Sequence, residues 1–271
     1  MKNPKIGLAL GGGGARGLAH IGVLKVLHEA GIKIDYICGV SMGALIGAGY
    51  SLGMDILEME KEANSFTKTK AMRELVDLST FRRSIIKGKK IFKYIDNFLG
   101  EKDFNDTKFP FKIIATNLSD GSVVALTKGN LARAVEASIC VPGILPPVKI
   151  GNDYLVDGGV ANPTPIDETI KMGADLVIGV DLIIKKPVKI IDNPNMIFTL
   201  MQSYEIIRNK VFDSCINSGY DGKVVLIKPD LNGYGVVNSF KFYNIKEFIE
   251  AGEAAARKMM PEIRKKMEGL K

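Results

Sequence analysis

The sequence lacks tryptophan and has only two histidines and three cysteines in 271 residues. The cysteines, Cys38, Cys140 and Cys215, are odd in number and have no metal-binding spacing, which argues against a disulfide framework and is typical of a reducing compartment. No apolar run approaches the roughly 20 residues that cross a bilayer, and the first residues do not resemble a signal peptide. We therefore expect a cytoplasmic protein that contacts membranes at most peripherally.

Positive charge is concentrated in one stretch of the chain. There are 37 basic and 30 acidic residues, and the net charge is +7. Between Phe66 and Lys93 nine basic residues stand against two acidic ones, so this stretch accounts for the whole surplus. The basic residues are Lys68, Lys70, Arg73, Arg82, Arg83, Lys87, Lys89, Lys90 and Lys93. Such a surplus is typical of a solvated helical face or of a surface for an anionic partner, either lipid headgroups or nucleic acid.

Short apolar runs alternate with helical patterns. Strands are predicted at Lys5–Leu10, Ile34–Cys38, Phe111–Thr116, Ser122–Leu126, Tyr154–Val156, Leu176–Val180 and Val224–Ile227. Helices are predicted after the first two strands, at about 195–217, and from Ile245 to a break at Pro261. This alternation predicts an α/β protein with three layers, in which helices cover both faces of a mostly parallel sheet.

The chain is predicted to form a single domain over residues 1–271, with a core of about 5–185. Residues of about 54–104 are helical and charged without a clear strand, which indicates an insertion over the edge of the sheet and a candidate lid. Two prolines between Lys186 and Pro194 indicate a linker into a C-terminal extension over about 186–271.

The pentapeptide Gly39-Val40-Ser41-Met42-Gly43 lies between a predicted strand and a predicted helix. A G-x-S-x-G sequence in this context is typical of a strained turn that exposes a nucleophilic serine at a helix N-terminus. Gly39 and Gly43 flank the serine because a Cβ there would collide with neighbouring elements. The alternative is that Ser41 only caps the helix.

A glycine loop follows the first strand. Consecutive glycines at Gly11, Gly12, Gly13 and Gly14 can direct several backbone N–H groups into one concavity, which is a nest for an oxyanion. Gly12, Gly14 and Gly17 also satisfy the dinucleotide-binding spacing. Asp35, the candidate ribose ligand of that alternative, begins the second predicted strand rather than ending it, which argues against a nucleotide site.

The general base is predicted by elimination. The two histidines, His20 and His28, both precede Ser41, so the Ser…Asp…His order of the α/β-hydrolases is excluded. The base is therefore a carboxylate or a lysine. Asp157 ends a predicted strand, where sites of parallel sheets lie, and Gly158 and Gly159 allow a sharp turn after it. Asp181 also ends a strand but lacks the glycines.

The three motifs, in this order, resemble the patatin-like phospholipases and specifically their small bacterial members. GGGGARG opens the chain, GVSMG follows, and DGG comes after a stretch ASICVPGILPP that also resembles the family pattern. The resemblance covers about residues 5–185. Cys140 departs from it, since an alcohol or a small residue is common there.

The resemblance implies a three-layer α/β/α fold and hydrolysis of phospholipid or lysophospholipid acyl esters by a Ser–Asp dyad. It implies Ser41 as nucleophile, Asp157 as base, and the N–H groups of Gly12, Gly13 and Gly14 as oxyanion donors. Arg16 is expected to fix the loop or to contact a headgroup.

No cofactor and no metal are expected, since there is no compact ligand cluster. The stretch 66–93 is the candidate contact with an anionic membrane, and no nucleic acid partner is expected. Two other functions stay open, an acyltransferase of the same fold and a non-catalytic module that binds phosphate or a nucleotide on the glycine loop.

Overall fold

The computed structural model of the chain describes residues 4–65, 69–70, 75–79, 84–184, 192–217, 219–220, 222–231 and 245–270. The described strands form one eight-stranded sheet. They are β1 (Ile6–Leu10), β2 (Tyr36–Val40), β3 (Phe111–Asn117), β4 (Val123–Leu126), β5 (Val148–Ile150), β6 (Asp153–Asp157), β7 (Leu176–Val180) and β8 (Val224–Ile227). Among the described residues, no helix combines the length and the apolar character needed to cross a membrane.

The described helices lie between and after these strands. They are α1 (Ala19–Glu29), α2 (Met42–Ser51), α3 (Ile56–Asn64), α4 (Lys89–Leu99), α5 (Leu131–Ile139), α6 (Ile166–Lys171), α7 (Met196–Asn217) and α8 (Ile245–Gly269). Short 3-10 turns follow the first glycine loop (Gly14–Leu18) and Asp157 (Gly158–Val160). The insertion at 54–104 contains α3 and α4, and between them the described residues include an isolated antiparallel bridge of Leu78 with Ile86.

The sheet is mixed, with the order β5-β6-β3-β2-β1-β7-β8 and β4 paired to β3. The central strands β3, β2, β1, β7 and β8 pair in parallel. The pairings of β3 with β4, of β3 with β6, and of β5 with β6 are antiparallel. The parallel strands are mostly apolar because both faces of the sheet are covered, although β3 also contains Lys112, Thr116 and Asn117.

Alternate residues of the central strands pack into two different cores. Leu8 and Leu10 of β1 belong to the large core formed with α1, α2 and α8, whereas Ala9 belongs to a second core that contains Ile166 of α6 and Phe212 of α7. This alternation follows from the two-residue period of a strand. The predicted three-layer α/β/α architecture is confirmed.

The length of the last helix, α8, differs from the prediction. Pro261 was predicted to break the last helix, but α8 runs from Ile245 to Gly269 with Pro261 inside it. Ile263, beyond the proline, is fully buried in the large core. Burial of the residues after Pro261 therefore outweighs the loss of one helical hydrogen bond.

Several boundaries differ from the predictions. β2 begins and ends two residues later than predicted, and β6 extends to Asp157 itself. β5 and α6 have too few residues to give a clear pattern and were not predicted. The predicted linker lies mostly outside the described residues, as do Lys68, Arg73, Arg82 and Arg83 of the basic stretch.

Gly22 of α1 generates a prediction of stability. A Cβ at Gly22 would lie 2.0 Å from the Ile249 carbonyl oxygen of α8, and neither helix backbone can yield locally. We expect Gly22→Ala to lower the free energy of unfolding by about 1–3 kcal/mol through overpacking, as measured by urea unfolding.

Gly269→Ala is the matched control, because nothing lies within 4 Å of its added Cβ. Equal stability of the Gly22→Ala and Gly269→Ala proteins would show that the α1–α8 contact does not require glycine.

Candidate active site

Ser41 lies in a tight turn between β2 and α2. Its φ is 54° and its ψ is −122°, a conformation that residues with a side chain rarely adopt. A Cβ on Gly39 would lie 2.6 Å from the Gly43 carbonyl oxygen, and one on Gly43 would lie 2.3 Å from the Leu10 carbonyl oxygen. Both positions therefore require glycine, as the pentapeptide predicted.

The backbone around Ser41 is held by a residue of the ASICVPGILPP stretch. The Ser41 N–H donates to Ser138 Oγ at 2.8 Å, and Ser138 Oγ donates to the Ile114 carbonyl at 2.6 Å. The Ser41 side chain makes no capping hydrogen bond to α2. The alternative in which Ser41 is only a helix cap is therefore excluded.

Asp157 lies at the end of β6 and is 1% exposed. Its carboxylate accepts the Gly159 N–H at 2.7 Å. The hydroxyls of Ser41 and Tyr204 act on the same carboxylate as hydrogen-bond donors that lower its pKa. Burial raises the pKa of Asp157, although these hydrogen bonds and the charge of Arg208 oppose the rise. The structure thus brings Ser41 and Asp157, both buried, together at one cavity.

The strand that ends at Asp157 runs in a different direction from the one expected, since Asp157 was predicted to end a strand of a parallel sheet. β6 runs antiparallel to β3, so the strand that ends at Asp157 is not one of the parallel strands. Asp157 instead pairs with Ala115 in the middle of β3, beside Ile114, which pairs with Val40 at the end of β2. The ends of β2 and β6 therefore meet at the same level of the sheet from opposite directions.

Asp181, the competing carboxylate, has a different environment. Its Oδ1 accepts the Ile183 N–H at 3.0 Å, and its Oδ2 lies 3.9 Å from Lys228 Nζ. Asp181 is not among the residues that line the cavity at Ser41. The structure therefore places Asp157, and not Asp181, beside the serine.

The glycine loop lies next to Ser41, and it corrects one predicted donor. The Gly12 N–H donates to the Pro163 carbonyl at 3.0 Å, so it is occupied and cannot also hold an oxyanion. Among the described residues, neither the Gly13 N–H nor the Gly14 N–H donates a hydrogen bond. Gly13 and Gly14 line the cavity with Ser41 and remain the candidate donors.

Arg16 fixes the loop. It is fully buried, its Nε donates to the Gly13 carbonyl at 3.2 Å, and it forms an ion pair with Glu205 of α7. A lipid headgroup cannot reach a side chain that is buried in this way. The structure therefore favours the role in which Arg16 fixes the loop over the role in which it contacts a headgroup.

His20 also contacts the loop. It is fully buried, and burial lowers its pKa to about 4, so the ring is neutral at pH 7. Its Nε2 lies 2.7 Å from the Gly11 carbonyl oxygen, to which a neutral ring can donate only in the Nε2–H tautomer. Neither His20 nor His28 lines the cavity, in agreement with a site that uses no histidine.

The cavity at Ser41 has a volume of about 360 Å³. Gly13, Gly14, Ser41 and Asp157 line it together with polar groups of α7. Most of the other walls are apolar and come from the insertion, from α7 and from the turn after α5; they include Met59, Ile86, Ile91, Ile95, Phe98, Val141, Ile144, Leu145, Ile197 and Met201. Among the described residues, no three His, Cys, Asp or Glu side chains are grouped so as to hold a metal ion.

Three residues of α7 were missed by the sequence analysis. Tyr204 holds Asp157, Glu205 pairs with Arg16, and Arg208 donates to the Gly12 carbonyl. Polar residues at i, i+1 and i+4 of a helix are too common to identify a site. Only the packing of α7 against the loop shows their place.

A family model described as patatin-like phospholipase matches residues 8–170. An uncharacterized NTE family protein of Mycobacterium tuberculosis is 37% identical over 180 residues, which cover 66% of this chain and 49% of that protein. The neuropathy target esterase of Drosophila melanogaster is 37% identical over 181 residues, 65% of this chain and 13% of that protein.

A lysophospholipase of Aspergillus fumigatus is 35% identical over 179 residues, 65% of this chain and 12% of that protein. The chain thus spans about half the length of the mycobacterial relative and a small part of the other two.

The raised pKa of Asp157 predicts how the free energy of unfolding depends on pH. An acid whose pKa is higher in the folded than in the unfolded chain loses stability as pH rises through that interval. We expect Asp157→Asn to raise the free energy of unfolding at pH 7, and the gain to disappear as the pH falls towards 4. Urea unfolding at a series of pH values measures this difference.

Asp120→Asn is the matched control, since hydrogen bonds from Ser122 lower the pKa of this exposed carboxyl. It should show no gain at pH 7. A loss of stability in Asp157→Asn at neutral pH would contradict the expected cost of the buried charge.

Proposed function

This chain belongs to the patatin-like phospholipase family, and we propose that it hydrolyses acyl esters of phospholipids, lysophospholipids or related lipids with Ser41 and Asp157 as a catalytic dyad. The observation that carries this proposal is the position of the strained Ser41 and the buried Asp157 on one cavity with mostly apolar walls. The names of two relatives, a lysophospholipase and an esterase, support the same substrate class.

The first step forms an acyl-enzyme. Ser41 Oγ attacks the ester carbonyl carbon while its proton passes to Asp157, and the carbonyl oxygen becomes an oxyanion. The N–H groups of Gly13 and Gly14 stabilise this oxyanion. When the tetrahedral intermediate collapses, the bond to the alcohol breaks, and the alcohol leaves with the proton from Asp157.

The second step releases the acid. A water molecule gives a proton to Asp157 and attacks the acyl carbon, which forms a second tetrahedral intermediate. When this intermediate collapses, the bond between the acyl carbon and Ser41 Oγ breaks, and Asp157 returns the proton to Ser41 Oγ. A carboxylate is a weak base in water. Burial raises the pKa of Asp157, which makes this carboxylate a stronger base. The Gly159 N–H and the Tyr204 hydroxyl hold the carboxylate in place during both steps.

The apolar walls suit an acyl chain, which gains free energy as its methylene groups leave water. Part of these walls comes from α3 and α4, so we propose that the insertion at 54–104 acts as a lid over a core of about 5–185. The extension after 186 supplies the remaining wall through α7, with Ile197 and Met201.

Acyl transfer shares the first step, so an acyltransferase requires only that another alcohol replaces water in the second. The non-catalytic alternatives, in which the loop binds phosphate or a nucleotide, leave the strained turn at Ser41 without a purpose. The strained Ser41 beside the buried Asp157 therefore favours an enzyme.

The dyad is tested with p-nitrophenyl acyl esters and a fluorophosphonate probe. We expect mass spectrometry to find the probe on Ser41, and Ser41→Ala to abolish both labelling and hydrolysis, since removal of a nucleophile costs orders of magnitude. Asp157→Asn should be nearly as inactive, because the amide keeps the shape but cannot accept the proton.

Ser119→Ala, in an exposed turn, is the matched control and should keep full activity. Retention of more than about 1% of the activity by a folded Ser41→Ala protein would exclude Ser41 as the nucleophile.

We also propose that the basic stretch binds an anionic membrane surface peripherally. Lys87, Lys89, Lys90 and Lys93 are exposed, and Ile86 and Ile91, their neighbours in the chain, line the cavity. Met196, at the start of α7, is 70% exposed and lies next to Ile197 of the cavity wall. Lysines and exposed apolar side chains near the substrate cavity suit a bilayer with negatively charged headgroups.

Co-sedimentation with vesicles tests this contact. Each lysine near an anionic surface contributes about 1 kcal/mol, so we expect Lys87, Lys89, Lys90 and Lys93→Gln together to weaken binding to phosphatidylserine vesicles about tenfold or more. Binding should also fall at high salt, which screens the attraction.

The control removes the same charge elsewhere, at the exposed Lys33, Lys246, Lys258 and Lys265. Equal binding to anionic and zwitterionic vesicles, or an equal loss in both quadruple variants, would show that the basic stretch has no particular role.

A further inference from the structure

Three successive carbonyls of the glycine loop accept hydrogen bonds from buried side chains. Gly11 accepts from His20, Gly12 from Arg208, and Gly13 from Arg16. In a trans peptide the carbonyl and the next N–H point in opposite directions. The two arginines, which hold the Gly12 and Gly13 carbonyls on one side, therefore direct the N–H groups of Gly13 and Gly14 to the other side.

The two arginines depend on one carboxylate. Arg16 and Arg208 both donate to Glu205 Oε1, and all three side chains are at least nine-tenths buried. Burial alone would raise the pKa of Glu205, but the charges of Arg16 and Arg208 hold it below its usual value. An ionised Glu205 thus offsets the repulsion between two arginines that lie side by side at the loop.

The same face of α7 also holds the base. Arg208 lies one helical turn after Tyr204, whose hydroxyl and Asp157 Oδ1 both flank Gly159, and the Arg208 guanidinium lies over the Tyr204 ring at 5.6 Å. A Cβ on Gly159 would lie 2.7 Å from the Tyr204 hydroxyl and 3.1 Å from Arg208 Nε. A side chain at Gly159 would therefore collide with Tyr204 and Arg208, and the absence of one allows this face of α7 to pack against the residues that follow Asp157.

We propose that Glu205 and Arg208 are positioning residues of the oxyanion hole, which with Arg16 aim the N–H groups of Gly13 and Gly14 at the reacting carbonyl. The inference rests on the proposed function. α7 lies beyond residues 8–170 that the family model matches, so these residues belong to this chain's extension and not to the matched motifs.

Arg208→Gln is the sharpest test, because it releases the Gly12 carbonyl but leaves the Arg16–Glu205 ion pair intact. Without that restraint the Gly12–Gly13 peptide loses its fixed direction, and one misdirected donor costs about 100-fold in kcat. We expect kcat for a p-nitrophenyl ester to fall by about 10- to 100-fold with KM nearly unchanged.

A thionoester comparison separates this role from a merely structural one. Sulfur accepts hydrogen bonds more weakly than oxygen, so an aimed oxyanion hole favours the oxygen ester over its thionoester. We expect the ratio of kcat/KM for the oxygen ester to kcat/KM for the thionoester to be lower in Arg208→Gln than in the wild-type protein. Arg208→Lys keeps the charge but offers no planar fork for Gly12 and Glu205 together, so it should give an intermediate ratio.

Lys210→Gln is the control, since it removes an exposed positive charge from the same helix. It should leave kcat and the ratio unchanged. A folded Arg208→Gln protein with unchanged kcat, or with a reduced kcat but an unchanged ratio, would overturn the inference. If Arg208→Gln does not fold, Arg208→Lys decides by the same two measurements.

The fluorophosphonate probe distinguishes this failure from that of the proposed function. Absence of Ser41 labelling in the wild-type protein would overturn both. Labelling of Ser41 at the same rate in the wild-type and Arg208→Gln proteins, with unchanged ester turnover, would overturn only the role of α7.

Discussion

The turn at Ser41 constrains everything around it. A serine with a φ of 54° is held in place only if the segments on both sides approach closely. Gly43 packs closely against the Leu10 carbonyl because it has no side chain, and Ser138 Oγ accepts a hydrogen bond from the Ser41 N–H. The glycine loop that follows Leu10 must therefore pass beside the serine, where Gly13 and Gly14 line the same cavity.

Charge is buried at this site at some expense in stability. Asp157, Glu205, Arg16 and Arg208 are all nearly inaccessible to water, and each would be costly to bury alone. Their hydrogen bonds and opposite charges offset that cost, yet burial still leaves the pKa of Asp157 above its ordinary value. A site of this kind trades stability for a carboxylate that can accept a proton.

The extension at the end of the chain is part of the site. β8 pairs with β7, α8 packs on α1, and α7 places polar residues on the loop and apolar residues on the cavity. Local patterns identified these elements but not their contacts. Pro261 shows the same limit, because burial of Ile263 decides that α8 continues past a residue that ordinarily ends a helix.

The sequence by itself determined the fold class and the turn at Ser41 and predicted Asp157 as the base, because glycines beside a serine and an aspartate at a strand end are local features. Only the tertiary structure decided which backbone donors are available and what holds them. The Gly12 N–H is bound to Pro163, and α7 brings Glu205 and Arg208 to the loop. These contacts join residues far apart in the chain, and no local pattern encodes where two distant segments meet.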